Sequence, residues 1–413
     1  MKKLLLLLIG MHCFQLCFSQ NYQDSLTHKL KQLAQQSTLP GFGVAIVSKD
    51  AVLYKNGFGF ADLKQKTPYT ANSIQNIGSI TKTLIAFSLM KLIEEGKIKL
   101  DDPINHYLPF KITHPKFPSI PITIRQLATH TSGLTDGKKD MVIEKSYLFN
   151  GAINFDKTQL PKDYVPYFKI YQQNQQLTMK DFLYHTYHTA GRWYKKSNFT
   201  KKAPGTQYRY TNIGATLLAF IIEEVSQMPF AEYTQQKIMK PLQMTDTYWK
   251  LVAIPQNQLT SLYLANNLPI PHYELITYPD GGLFTTVADF ASYLQEMIQG
   301  LNGESQLLHH ASYQEMMSNQ LITKHFPHGK FEKSKGLMWS VNPEGDNITM
   351  NGADPGIATY TLFTTKGNVG IVIFMNSNLY DIESRERDFR KIRGLLFQYA
   401  GKLLKAQKAD KTN

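Results

Sequence analysis

Ser79 and Lys82 stand three residues apart in Ile77-Gly78-Ser79-Ile80-Thr81-Lys82-Thr83, a hydroxyl where a helix begins and an amine one turn further on. Positions i and i+3 share a helix face, so the two side chains can lie side by side. A serine hydroxyl is a poor nucleophile near neutral pH and needs an adjacent base. A lysine drawn into an apolar site loses proton affinity because burial disfavours its charged form, and the positive end of a helix acts in the same direction. The pair therefore predicts nucleophilic attack by Ser79 with Lys82 handling the proton. The local alternative is a helix cap at Ser79 and a solvated first-turn Lys82. Two fixed residues separated by two free ones recur by chance in long chains, so the pair needs company.

Three later stretches carry further reactive groups. Tyr208-Arg209-Tyr210-Thr211-Asn212 follows a turn at Ala203-Pro204-Gly205-Thr206 and sets a phenol and an amide just ahead of an apolar helix pattern. As local structure, Asn212 is the N-cap of that helix and Tyr210 an aromatic at a strand end. His130 beside Ser132 suggests a hydrolase dyad, but neighbours in a polar turn with Gly133 read more simply as loop structure. His185 and His188 have the spacing of two ligands on one helix face. With no HExxH pattern or acidic cluster nearby they read as surface histidines, and no metal is expected.

The elements that must position these groups follow from periodicity. Residues 41–46 and 51–60 read as a strand pair turning at Lys49-Asp50. Leu84, Ile85, Met90, Leu92 and Ile93 mark the buried stripe of the helix that starts at the Ser79 stretch, and Gly96 is placed to close it. Thr123-Ile124-Arg125-Gln126 has capping-box spacing, and Thr178 and Thr286 begin further helices. Residues 137–203 are irregular and rich in lysine and aromatics, with Tyr164, Tyr167, Phe168 and Tyr171 expected to pack inside an inserted helical region. A helix is predicted at 213–226, strands at 337–341, 358–363 and 369–375, and a closing basic amphipathic helix at 384–404. That order implies an antiparallel sheet assembled from both chain ends and flanked by helices, with a mainly helical region inserted between them.

The 413 residues carry a formal charge of +13 and only two cysteines, Cys13 and Cys17. Met1-Lys2-Lys3 followed by an apolar core at 4–9 and small residues near Ser19 reads as a secretory signal peptide spanning 1–19. The apolar run is shorter than the roughly 20 residues a membrane-spanning helix needs. A bulky Leu16 argues against Cys17 as a lipidation site. Cleavage would remove both cysteines, excluding disulfides and thiolate chemistry in the mature chain and pointing to a periplasmic or extracellular location. The basic charge is spread along the chain with no nucleic-acid motif, so no nucleic-acid partner is expected.

Three ordered segments, Ser79-Ile80-Thr81-Lys82, Tyr210-Thr211-Asn212 and Asn351-Gly352-Ala353-Asp354-Pro355-Gly356, together resemble the signature of penicillin-recognising serine hydrolases. The chain looks like a member of the class C β-lactamase and D-alanyl-D-alanine carboxypeptidase group, which includes esterases and D-aminopeptidases. Residues 127–134, Pro204-Gly205-Thr206 and Gly281-Gly282-Leu283 extend the likeness over most of the chain. The resemblance implies a β-lactamase/transpeptidase-like fold at 20–404, with an α/β part at about 20–110 and 275–404, an insertion at about 111–274 and a basic tail at 405–413. It implies an acyl-enzyme on Ser79, with Lys82 and Tyr210 sharing the proton work and Asn212 holding Lys82 or a substrate amide. The oxyanion would sit between the Ser79 and Ala353 backbone N–H groups, beside Gly352, and no cofactor is required. Substrates would be small molecules or peptides, cell-wall fragments included; the oligomeric state is left open. One position departs: where the third motif usually opens with lysine, histidine or tryptophan, this chain has Met350, which cannot attract a carboxylate. That favours an ester, amide or D-amino-acid peptide without such an anchor. The alternatives are a true β-lactamase or penicillin-binding D,D-peptidase, and a catalytically inactive envelope-binding protein of the same fold.

Overall fold

The computed structural model describes residues 20–151, 160–321, 323–326, 334–342, 344, 346–366, 368–379 and 382–411. The expected signal segment, 1–19, lies outside the described residues. Gly41–Ser48 (β1) and Val52–Asp62 (β2) form the expected hairpin, closed by the Ser48 amide donating to the Ala51 carbonyl at 2.8 Å, and Thr67–Pro68 (β3) edges it. From the other end of the chain come Ser340–Val341 (β4), Asn347–Asp354 (β5), Ile357–Thr364 (β6) and Val369–Met375 (β7). Among the described residues these make one seven-stranded antiparallel sheet in the order β4-β5-β6-β7-β1-β2-β3. The chain ends meet at its centre, where Val44 pairs with Ile373.

All eight residues of β1 are buried because both faces of the sheet are covered. Alternation sends Ala45 and Val47 into the large core with the helices of one face, and Phe42, Val44 and Ile46 to the opposite face. On the first of these faces lie Lys82–Glu94 (α1), Asn212–Ser226 (α2) and Val287–Leu301 (α3). The opposite face is covered by Glu383–Lys411 (α4) and by a helix over residues 20–36. That N-terminal helix is absent from the sequence reading, although Tyr22, Leu26, Leu30 and Leu33 recur on one face and all join the outer core.

Two boundaries also differ. The sequence pattern marks β5 as a motif and not as a strand, because Asn, Gly and Asp are poor strand formers. Its period-two pattern is nonetheless clear, with Ile348, Met350 and Gly352 buried between more open neighbours. Helix α4 runs through 405–411 rather than stopping before a tail, since lysine is a good helix former and neither Gly nor Pro intervenes there.

The 111–274 region holds the short helices Ile124–Ala128, Val165–Tyr171 and Met179–Tyr187 besides α2. It also contributes small ladders, Tyr147–Phe149 with Tyr273–Leu275 and Leu262–Tyr263 with Pro269–Ile270. It is not a separate unit, because α2 buries Ile213, Leu217 and Leu218 in the same core as α1. Phe168 and Tyr171 pack with Tyr147, Phe149 and Tyr273 in a satellite aromatic cluster, with Tyr164 and Tyr167 partly buried at its rim. Among the described residues no single helix is long and apolar enough to cross a membrane.

Candidate active site

Ser79 lies in a single 3-10 turn, Gly78–Thr81, that feeds α1. Two glycines let this turn touch β5. Gly78 has φ +55°, and a Cβ on it would sit 3.1 Å from the Ala353 nitrogen. A Cβ on Gly352 would sit 2.2 Å from the Ile77 oxygen and 2.9 Å from the Ser79 nitrogen. Only bare backbone fits there. Thr359 on β6 fastens the seam by donating from Oγ1 to the Ile77 carbonyl at 2.7 Å. The Ser79 and Ala353 amides therefore lie together on this seam, where an oxyanion site would need them. Ser79 does not cap the helix: Thr81 holds the N-cap position of α1 and makes no side-chain cap bond.

Lys82, the first residue of α1, is fully buried. Its ammonium donates to Ser79 Oγ at 3.0 Å and to the Asp280 carbonyl. Tyr210 closes the group, with its phenol 2.7 Å from the same Ser79 Oγ and its ring centroid 5.2 Å from Lys82 Nζ. The Ser79 oxygen thus meets both candidate proton carriers. Tyr210 is held by its surroundings: Thr211, not Asn212, is the N-cap of α2, accepting from the Gly214 amide at 3.1 Å. Asp136 accepts from Thr211 Oγ1 at 2.6 Å and from the Ile213 amide at 3.0 Å.

The charge states differ from the sequence expectation. Burial opposes the Lys82 charge most, but Tyr210 as phenolate, Asp280 and Asp354 together outweigh it, and the amine is held above its ordinary range. Burial raises the Tyr210 phenol, and the Lys82 charge offsets this only in part. Lys82 and Tyr210 are therefore a coupled pair in which each charge favours the other, and their titration belongs to the pair. Asp280 is buried, with Oδ2 accepting from Thr216 Oγ1 at 3.1 Å. Burial pushes Asp354 up to about 7, partly offset by the hydroxyl of Tyr147 donating at 2.5 Å.

Two openings share Tyr210. One, of about 280 Å³, is lined by Ser79, Tyr210, Lys335, Ser340, Met350 and the β5 backbone through Ala353. The other, of about 460 Å³, holds Arg209, Asn212, Asp136 and Glu144 in its walls. Asn212 therefore faces the cleft, while Lys82 is held by Ser79 and Asp280 instead. Lys335 was missed, because it lies outside every motif; only its place beside Gly336 and ahead of the 337–341 strand pattern could have marked it. Met350 does leave the β5 wall without charge, but a cation enters the pocket from the adjacent segment.

The other singled-out residues have structural surroundings. His130 is buried against Tyr210, ring centroids 4.6 Å apart, and burial together with the nearby Lys335 and Lys82 charges holds it well below its ordinary range. It supports the phenol from behind, and Ser132 Oγ accepts from the Leu134 amide at 3.3 Å within the same loop. His185 lies 2.9 Å from Arg192 Nη2 and His188 stacks on Tyr184. Among the described residues no three His, Cys, Asp or Glu side chains gather as metal ligands.

A seven-stranded sheet between helical layers, with a Ser–Lys–Tyr group at the junction of α1 and β5, defines the serine hydrolases of the β-lactamase type. Residues 26–395 match the Beta-lactamase family model, and the chain belongs to that family. It is 23% identical to Protein flp of Staphylococcus aureus over 351 residues, 83% of this chain and 61% of that protein. It is 26% identical to the serine beta-lactamase-like protein LACTB, mitochondrial, of Homo sapiens over 322 residues, 69% of this chain and 58% of that protein. The chain thus spans about three fifths of the length of these curated relatives. Its fold is shared with a class C beta-lactamase at a TM-score of 0.62 and 20% identity, covering 93% of this chain and 96% of that one. An octameric penicillin-binding protein homologue from Pyrococcus abyssi gives 0.63 at 23% identity, covering 86% and 73%. The D-alanine carboxypeptidase AmpC of Burkholderia cenocepacia gives 0.61 at 20%, covering 91% and 99%.

Proposed function

We propose that this chain is an exported serine hydrolase that forms an acyl-Ser79 intermediate with an ester, an amide or a D-amino-acid-containing peptide. The observation that carries the reading is the convergence of Lys82 Nζ and the Tyr210 hydroxyl on Ser79 Oγ, at 3.0 and 2.7 Å. Tyr210 is the shorter contact, and the Lys82 charge is favoured by the ionised Tyr210 and by Asp280, so the phenolate paired with the ammonium is the productive base. Ser79 Oγ attacks the substrate carbonyl carbon and passes its proton to Tyr210. The oxyanion that forms is stabilised by the Ser79 and Ala353 amides, each such donor being worth about 3–4 kcal/mol. Collapse expels the leaving group, which takes the proton from Tyr210. Water then repeats the sequence on the acyl ester and frees Ser79.

Labelling with a fluorophosphonate probe tests this. Wild type is expected to label, and Ser79→Ala is expected not to. Labelling that persists in Ser79→Ala moves the nucleophile elsewhere, and no labelling of either protein leaves the inactive envelope-binding reading. Turnover of a chromogenic cephalosporin, compared with short p-nitrophenyl esters, separates β-lactamase or D,D-peptidase action from esterase action. The signal-peptide reading of 1–19 is tested by N-terminal sequencing of secreted material, expected to start at Gln20.

A further inference from the structure

The layer turned away from Ser79 carries a line of cations. One side of α4 is committed to the outer core, where Ile392, Leu396, Tyr399 and Leu403 are buried. The other side presents Arg387, Arg390, Lys391, Lys402 and Lys405, all exposed. With about 3.6 residues per turn, these five fall within about 120° of the helix circumference and span about 27 Å of its length. From Arg387 to Lys405 the sequence holds six basic residues and one acid, Asp388. That acid is nearly buried, accepts from Ser37 Oγ at 2.7 Å and stands 3.7 Å from Lys391. Glu386 meets Arg390 at 3.7 Å, a surface pair that neutralises little. The N-terminal helix adds exposed Lys29 and Lys31. Lys29 and Lys402 lie 5.9 and 4.8 Å from the centre of the same Tyr399 ring, so the two helices bring their charges together. The middle of the row is bare: a Cβ on Gly394 or Gly401 would meet nothing within 4 Å, and Phe397 between them is 39% exposed. Glycine weakens a helix interior, and no described contact within the chain calls for it at these two places.

We propose that this outer layer, α4 from Arg387 to Lys405 with Lys29 and Lys31 beside it, docks on the headgroups of an anionic phospholipid bilayer with Phe397 seated among them. The inference goes beyond the hydrolase reading and does not depend on it. A row of cations along the outside of a helix matches a plane of negative charge. Each basic side chain held at such a surface strengthens partition about fivefold, so the five of α4 and the two of the N-terminal helix bind together where none would alone. The bare glycines let the helix backbone come close to the plane. Phe397 then reaches the boundary between headgroups and acyl chains, where an aromatic ring is favourable. A soluble polyanion would meet the same cations but gain nothing from that ring. The apolar stripe of α4 stays in the outer core, so the contact is peripheral and the helix keeps its place on the sheet. Neither opening beside Tyr210 is lined by a residue of this layer, so docking leaves the Ser79 cleft uncovered.

The test sediments the full chain with sucrose-loaded vesicles, either phosphatidylcholine alone or equimolar phosphatidylcholine and phosphatidylglycerol. The quantity read is the ratio of the two partition coefficients, in which apolar binding common to both vesicles cancels. Wild type is expected to favour the anionic vesicles by about 100-fold or more at low salt, and the ratio to shrink as salt screens the charges. The variant Arg387→Gln, Arg390→Gln, Lys402→Gln, Lys405→Gln is expected to bring it close to unity. A control that removes the same charge from exposed sites elsewhere, Lys99→Gln, Lys116→Gln, Lys180→Gln, Lys201→Gln, is expected to keep most of it. Melting curves and fluorophosphonate labelling check that both variants fold with Ser79 unaltered. A wild-type ratio near unity overturns the inference, and so does an equal fall in the two variants, which would assign the binding to net charge. Should the α4 variant fail to fold, Phe397→Ser decides. It is expected to bind anionic vesicles several-fold more weakly than wild type and dextran sulfate equally well. Unchanged vesicle binding in Phe397→Ser overturns the bilayer in favour of a soluble polyanion. Vesicle binding by a protein that does not label at Ser79 overturns the hydrolase reading alone.

Discussion

At the scale of single residues, chemistry depends on how many protons the Ser79, Lys82 and Tyr210 group holds. Both Lys82 and Tyr210 are shifted upward, for the causes given above, so the proposed ammonium–phenolate form is reached by loss of a proton from the pair as pH rises. Because both folded-state shifts are upward, the productive fraction grows as pH rises, and kcat/KM for a neutral ester should climb into the alkaline range. The apparent pKa of that limb belongs to the coupled group rather than to either residue. Tyr210→Phe should remove the rising limb and lower turnover by about 10²- to 10⁴-fold, the usual contribution of general acid–base catalysis. A pH–rate profile of the two proteins checks both points. A limb kept in Tyr210→Phe would hand the base role to Lys82.

At the scale of elements, the site is a seam between two pieces far apart in the chain, the Ser79 turn and β5. The seam requires that Gly352 have no side chain, since a Cβ would fall 2.2 Å from the Ile77 oxygen. Gly352→Val should push β5 off the turn and separate the Ala353 amide from the Ser79 amide. Loss of one oxyanion donor costs about 10²–10³ in kcat, with KM less affected. Steady-state kinetics on a p-nitrophenyl ester reads this, and near-wild-type kcat in Gly352→Val would remove Ala353 from the oxyanion site. Helix α2 works the same way for Tyr210, because its N-cap Thr211 is bonded to Asp136 and the phenol leaves the chain one residue earlier. The hydrophobic spacing of α1 and α2 made these helices legible, and the hairpin was legible from its turn. The caps at Thr123, Thr178 and Thr286 were legible from their spacing, whereas strand β5 and the Thr211 cap of α2 were not, because glycine and asparagine take their conformations from neighbours rather than from local preference.

At the scale of the whole molecule, the sheet separates two cores, and only one of them touches the site. Leu26 and Leu30 of the N-terminal helix are fully buried on the side away from Ser79. Leu26→Ala and Leu30→Ala should each destabilise the protein by about 2–5 kcal/mol through lost transfer energy and the cavity left behind. Denaturant titration measures this, while the fluorophosphonate labelling rate of the still-folded protein should stay close to wild type. A fall in labelling equal to that of a site variant would show that the outer layer positions the catalytic turn.

Sequence alone determined the pieces whose signal is local: the hydroxyl and amine one helical turn apart, the phenol before α2, the amphipathic helices and the hairpin. It also carried the ordered motifs on which the family resemblance rests, because their spacing survives in one dimension. Tertiary structure decided everything that depends on distance through space. It brought Lys335 into a pocket whose motif position holds Met350, and set the Asp280 carbonyl against Lys82. By placing Tyr210, Asp280 and Asp354 around a buried amine, it opposed the loss of charge that burial by itself would impose. Electrostatic energy falls with separation in space and not along the chain, so those outcomes had no signature until the strands and helices were assembled.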